Sequence, residues 1–490
     1  MKKILMSSVV VASLFAQTTN ASLEEQLKEL KVKLAQVEQM ATKNQQKVNP
    51  IAANNHLFWS YDLRTTYDSI SEKVSSGSTY RTLSKNSDGS VKFSDFKQNL
   101  PSNTYKNKIF TNRVILTGVA KPSDNLKATV RIEANNIFGM QSETQYSPYT
   151  NISWVANETP DDTTVRIKEA FFNYHFGKDN GFMFSAGRRP AVGGYPSNLR
   201  EGDSPSSPLS HLINMEFDGF SFEISNTVFG DISETLSDFG TWMKFCAGRG
   251  YSSSKGKWPA DGSAPYSKDG FDDSDFAGFI LVPYDDGQYS LWTETVWAWN
   301  MKGYNFVSNQ DAANAQQGKD FNASMQDLGD YFGFNAVLKI DGIGDEINDF
   351  LDDTKAFVSY AMSTTRPFSG KQMLASMDNK TGTSIWIGAD MPAGEDGRFG
   401  VSFVKGSKYW RNMTYGEDTL IGSIAAVRGK AYDIYYNKEI VSHLTAGVRY
   451  TYIDYDYSGS DAFFGLGGNP EQQVFVESAS DLRAYIRYNF

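Results

Sequence analysis

The residues best suited to chemistry gather in one stretch, Gly187–Asp203, which reads GRRPAVGGYPSNLREGD. Arg188, Arg189 and Arg200 stand there beside Glu201 and Asp203, among glycines and prolines that impose a defined, bent path. Guanidiniums held this way can bind anions or pair with carboxylates. No Gly-Lys-Ser/Thr follows, so the stretch is not a phosphate-cradling loop. Seven further arginines, Arg64, Arg113, Arg131, Arg398, Arg449, Arg483 and Arg487, fall on the polar positions of alternating segments. Catalytic chemistry finds less support. His443 and Asp433 would lie diagonally, about 7–8 Å apart, in a hairpin centred near Glu439. The same register supplies no nucleophile, so a Ser–His–Asp set cannot be assembled and no enzyme is expected. A single Cys246 and four histidines argue against a disulfide scaffold and a Cys- or His-based metal centre. The acidic stretch Asp341–Asp353 lacks EF-hand spacing and reads as a solvated turn. No metal or cofactor is expected. With 47 basic and 57 acidic residues, the net charge of −10 also argues against nucleic-acid binding.

These side chains need a framework, and its dominant signal is period two. In Leu57–Asp68, the positions Leu57, Trp59, Tyr61, Leu63, Thr65 and Tyr67 oppose Phe58, Ser60, Asp62, Arg64, Thr66 and Asp68. Leu126–Phe138 and Ser442–Asp454 alternate in the same way. Each run is about 10–13 residues long, against about 5–6 for ordinary strands and about 9–11 for strands that cross a membrane at a tilt. Aromatic residues make up 14% of the chain and only 21% is charged, which fits large apolar strand faces exposed to lipid. No later segment is apolar for the roughly 18 residues that a spanning helix needs.

The first 56 residues differ from this body. Lys2 and Lys3, the apolar run Ile4–Phe15 and the small residues Ala16 and Ala21 read as a secretory signal peptide over residues 1–21, with cleavage after Ala16 or Ala21. Residues 22–46 carry a seam of Leu23, Leu27, Leu30, Leu34 and Val37 between charged positions. That spacing predicts a helix, either lying on the rest of the protein or forming a short coiled coil between copies. Three heptads hold only marginally alone, so a coiled coil would need other subunit contacts. Residues 47–56 read as a polar linker.

The final ten residues place Leu482, Ala484, Ile486, Tyr488 and Phe490 on one face, with Arg483, Tyr485, Arg487 and Asn489 on the other. Here the chain resembles Gram-negative outer-membrane barrels, whose closing strand commonly ends in Phe after alternating apolar residues. Its order of parts (signal peptide, short coiled coil, barrel) is similar to that of uncharacterised porin-like proteins and of phosphate-selective porins, although no motif assigns that substrate. The resemblance implies an all-β transmembrane barrel over residues 57–490, of 16 strands or, if Asp218–Gly219 is a hairpin turn, 18. It implies location in the outer membrane with the N-terminal helix in the periplasm, lipid around the wall, and an assembly machinery that reads Ile486, Tyr488 and Phe490. A homotrimer is expected on the same ground. The ten arginines are then candidates for lining the lumen, with Gly187–Asp203 either the constriction or an external loop of no special role. Wall charges either pair across strands or favour anions. The expected function is passive diffusion of small polar solutes with a mild anion preference. The alternative is a sealed scaffold barrel coupled to periplasmic partners through the coiled coil. Trp292, Trp297 and Trp299 read as part of an interfacial girdle.

Overall fold

The computed structural model describes residues 56–490 apart from 77–79, 89, 97–102, 140–159, 161–163, 257–265, 269, 345–346, 415–418, 461–463 and 473–475. The signal peptide, the helical seam with Leu23, Leu27, Leu30, Leu34 and Val37, and all but the last residue of the linker lie outside the described residues.

Sixteen strands form the wall: β1 Leu57–Val74, β2 Asn103–Ser123, β3 Leu126–Ile137, β4 Arg166–Phe176, β5 Phe182–Arg188, β6 Asp218–Ile224, β7 Trp242–Tyr251 and β8 Ser274–Asp285. They continue with β9 Tyr289–Phe306, β10 Phe321–Asp341, β11 Lys355–Pro367, β12 Lys380–Pro392, β13 Gly397–Gly406, β14 Gly429–Val441, β15 Leu444–Tyr455 and β16 Val476–Asn489. Each pairs with its neighbour in sequence, and β16 pairs antiparallel with β1, so no edge is left open. The closing register runs from Asp62↔Asn489 to Val74↔Val476. It is extended by reciprocal backbone bonds, Tyr61 N–H to Phe490 O at 2.8 Å and Phe490 N–H to Tyr61 O at 2.9 Å.

The strands alternate as their sequences do. Leu63, Val130, Phe172, Phe220, Phe245, Val358, Ile387, Ile434, Val448, Leu482, Ile486 and Tyr488 are exposed on the outer surface. Arg64, Glu133, Ser185, Asn335, Ser359, Asp433 and Arg483, on the opposite faces, are buried. An outward arginine would cost about 2–4 kcal/mol at the bilayer midplane, so the apolar face must meet lipid.

The three apolar segments between His211 and Arg249 contribute two wall strands, which gives sixteen. Residues 211–217 turn into the lumen, β6 and β7 join the wall, and the connection between them folds into helices Asn226–Ile232 and Glu234–Asp238. Two other expectations are corrected. The β14–β15 turn falls at residues 442–443, not near Glu439, so His443 sits in the turn with φ of 72°, away from Asp433, which pairs with Thr451. Trp292 points inward, T-shaped against Trp242 at 4.9 Å, whereas Trp297 packs on Phe332 outside.

Two long loops fold back into the barrel, residues 189–217 after β5 and, after β13, residues 407–414 and 419–428. A parallel bridge joins them, Ile213↔Met413 and Asn214↔Thr414. Leu212, Met215, Trp410 and Met413 pack with Met373, Phe464 and the wall residues Val296, Tyr331 and Ala361. Leu209, Ile424, Ala425 and Val427 pack against Val337, Trp386, Val404, Ala431 and Ile453. The half of the lumen bounded by β8–β16 therefore holds two hydrophobic clusters, alongside buried charged residues such as Arg411, Arg428 and Asp433. Glycine permits this close approach at Gly382, where a Cβ would lie 2.1 Å from the Trp410 nitrogen.

Candidate functional site

The other half of the lumen, bounded by β1–β5, β16 and the loop of residues 189–217, is polar. The short helical turn Ser197–Glu201 on that loop brings Glu201 to the wall. There Glu201 pairs with Arg64, with Arg113 at 3.3 Å and with Arg487 at 3.4 Å. Burial alone would raise its carboxyl, but Arg64, Arg113 and Arg487 override burial and hold it well below the usual carboxylate range. Arg487 also binds Asp62 and Asp203, each at 2.7 Å, and Arg113 binds Asp62 at 3.2 Å. These groups lie on three strands and one loop, so the network ties the closing seam to the constricting loop.

The remaining sequence candidates are distributed around this cluster. Arg200 reaches Asp433 at 3.1 Å and lies over the Trp386 ring, while Asn437 donates to the Arg200 carbonyl at 2.7 Å. Arg449 approaches Asp433 at 4.0 Å, and Arg483 pairs with Asp68 at 2.6 Å. Arg398 pairs with Asp390, whose second oxygen accepts from Tyr435 at 2.9 Å. Arg188 pairs with Glu216 at 2.8 Å. Arg189 donates to Ser185 and lies 5.0 Å from the Phe171 ring centroid. Arg131 donates to Glu169 at 2.9 Å and to Thr117 at 3.3 Å. All ten arginines engage acceptors or rings, and nine of them a carboxylate. Ile486 and Tyr488 face outward, and Phe490 lies 5.6 Å from the His443 ring.

Between this network and the wall lies a cavity of about 470 Å³. It runs from the rim of short turns, where Tyr61, His443 and Phe490 line it, up to Arg131, Glu133 and Glu169. Five basic side chains line it (Arg113, Arg131, Lys168, Arg189, Arg487), and five acidic ones (Asp62, Glu133, Glu169, Asp203, Glu216). Lys168 bridges to Glu216 at 2.5 Å, which fastens the loop to β4. Such a surface can solvate ions and polar solutes of either sign. Among the described residues no group of three or more His, Cys, Asp or Glu could hold a metal ion.

Sequence reasoning missed His211. It lies on the inserted loop with Nδ1 2.8 Å from Ser359 Oγ and Nε2 2.8 Å from Ser384 Oγ, edge-on to Trp386 and Trp410. Burial pushes its pKa down to about 3, so it is neutral. It is fully buried, has no carboxylate partner, and pins the loop to β11 and β12. A lone histidine in a polar loop carries no sequence signal for that role.

A closed sixteen-strand wall with an apolar exterior and a charged interior defines an outer-membrane β-barrel. Within that class, the chain belongs to the family described as protein of unknown function (DUF3373), whose pattern it matches over residues 103–490. No curated protein matches it in sequence. Among solved structures it is similar to an anion-selective porin from Comamonas acidovorans, at 12% identity and a TM-score of 0.44, over 89% of this chain and 99% of that one. It is also similar to OprB of Pseudomonas putida, at 11% identity and a TM-score of 0.44, over 90% and 96% of the two chains. For OmpF of Salmonella typhi the identity is 12% and the TM-score 0.40, over 89% and 98%.

Proposed function

We propose that this protein is a narrow porin of the outer membrane, admitting small polar solutes by diffusion along the polar half of its lumen. The observation that carries the reading is the charged cavity of about 470 Å³ beside an interior that two inserted loops pack with hydrophobic clusters. The short turns would face the periplasm and the long loops the exterior. Lipid surrounds the wall, the terminal strand with Ile486, Tyr488 and Phe490 addresses the assembly machinery, and the chains associate as a homotrimer supported by the seam at Leu23–Val37. No catalytic step belongs to this reading. Because the cavity lining balances five basic against five acidic groups, anion preference is weak. Stepwise currents in planar bilayers, with a reversal potential under a KCl gradient close to zero and slightly chloride-favouring, are the expected result. Arg131→Ala should move that potential toward cations.

The apolar packing of two loops across the lumen favours a second reading, a sealed scaffold barrel. Complete absence of current from correctly folded protein would select it.

A further inference from the structure

Glu133 is the one carboxylate of the cavity that the surrounding ion-pair network leaves out. It is 4% exposed, and its Oε1 has no hydrogen-bond partner. Its basic neighbours are committed elsewhere. Arg131, two residues before it on the same face, binds Glu169 at 2.9 Å. Arg113, diagonally across on β2, binds Asp62 and Glu201. Arg166 is its register partner on β4. Arg113 attracts Glu133 electrostatically, yet Oε1 receives no donor, and a buried acceptor left without one is costly and calls for a partner. Glu133 lines the cavity.

The same cavity offers the opposite charge close by. The Arg131 side chain is 38% exposed and spends its Nη1 on Glu169 and its Nε on Thr117. Same-face positions two apart on a strand are separated by about 7 Å, and an extended dipeptide spans about the same length. The volume is many times the roughly 30 Å³ share of one water, so a solute of that size fits.

We propose that the cavity is a binding site for dipeptide-sized zwitterions, with the solute ammonium on Glu133 and its carboxylate on Arg131. The proposal rests on the polar half of the lumen being open to solute, as inferred above. It makes the channel's preferred cargo amphoteric rather than anionic.

The test uses the full chain folded in detergent micelles, with radiolabelled glycylglycine as the probe in equilibrium dialysis. Saturable binding is expected, at least tenfold tighter than for N-acetylglycinamide, ethylammonium or acetate as competitors. Glu133→Gln should weaken it at least tenfold and Glu133→Asp less. Glu477→Gln, at an exposed pair with Lys73, should not change it. Heat-modifiable migration in gels checks that each variant is folded. If Glu133→Gln fails to fold, the competitor series on the wild type decides alone. Absence of saturable binding, equal competition by the neutral amide, or wild-type affinity in folded Glu133→Gln overturns the proposal. Swelling of proteoliposomes in arabinose tests the diffusion reading separately. No swelling alongside zwitterion binding would overturn diffusion and keep the site.

Discussion

At the scale of residues, Glu201 is the most consequential side chain in the lumen. Three guanidiniums, of Arg64, Arg113 and Arg487, converge on a carboxylate delivered by a loop. Removing one member of a buried ion pair leaves the others uncompensated, at about 3–5 kcal/mol. Glu201→Gln should therefore lower the stability of the folded barrel by about that amount. The measurement is the urea midpoint of the heat-modifiable form, and an unchanged midpoint would show that water screens the cluster. Arg64, Arg113 and Arg487 were legible in the sequence, because alternation puts each on the polar face of its strand. Their partners were not. Glu201 meets Arg64 across 137 residues of chain, and Arg483 meets Asp68 across 415. No local pattern reports such pairings.

At the scale of elements, long strands and alternating long and short connections were readable because lipid imposes a strict period. The inward folding of residues 407–414 and 419–428 was not. The walls β8–β16 carry Val337, Phe357, Trp386, Val404 and Ile453 on their inner faces, which a polar-lumen rule does not anticipate. The apolar run Ile421–Val427 is their counterpart, read in isolation as part of an external loop. Gly382→Leu tests this packing, since a side chain there collides with the Tyr409 and Trp410 backbone. Displacement of the loop should raise single-channel conductance above wild type. Acid should act on the other loop. The packed His211 stays neutral down to about pH 3, while the released imidazole takes up a proton below about 6.5. Its contribution to packing is therefore intact above about pH 6.5 and falls as pH drops toward 3, by about 3 kcal/mol at pH 4. Open-state occupancy in bilayers should rise between pH 7 and 4.5, and His211→Asn should flatten that rise. An identical rise in the variant would assign the acid response to other groups.

At the scale of the whole molecule, assembly depends on the joint between the two ends of the barrel sequence. β1 and β16 are the wall strands furthest apart in the chain, so their pairing carries the largest loop-closure cost and is expected late in folding. The joint is reinforced inside by Arg487–Asp62 and Arg483–Asp68. Outside, Leu63 is registered with Tyr488 and Thr65 with Ile486. At its end the Phe490 backbone bonds reciprocally with Tyr61. Deleting Phe490 removes both terminal bonds and the ring beside His443, but leaves the salt bridges in place. If the joint only needs its interior pairs, the truncated chain will fold in detergent with near-normal yield. If the last residue also seeds pairing during insertion, yield in membranes should fall several-fold while stability of the folded fraction changes little. We expect the second pattern, because two exposed-end bonds are worth only about 1–3 kcal/mol together, whereas a strand without its terminal anchor is slow to find its register. Heat-modifiable material in outer-membrane fractions, compared with refolding yield in micelles, separates the two. Normal membrane yield would show that Phe490 is not an assembly signal.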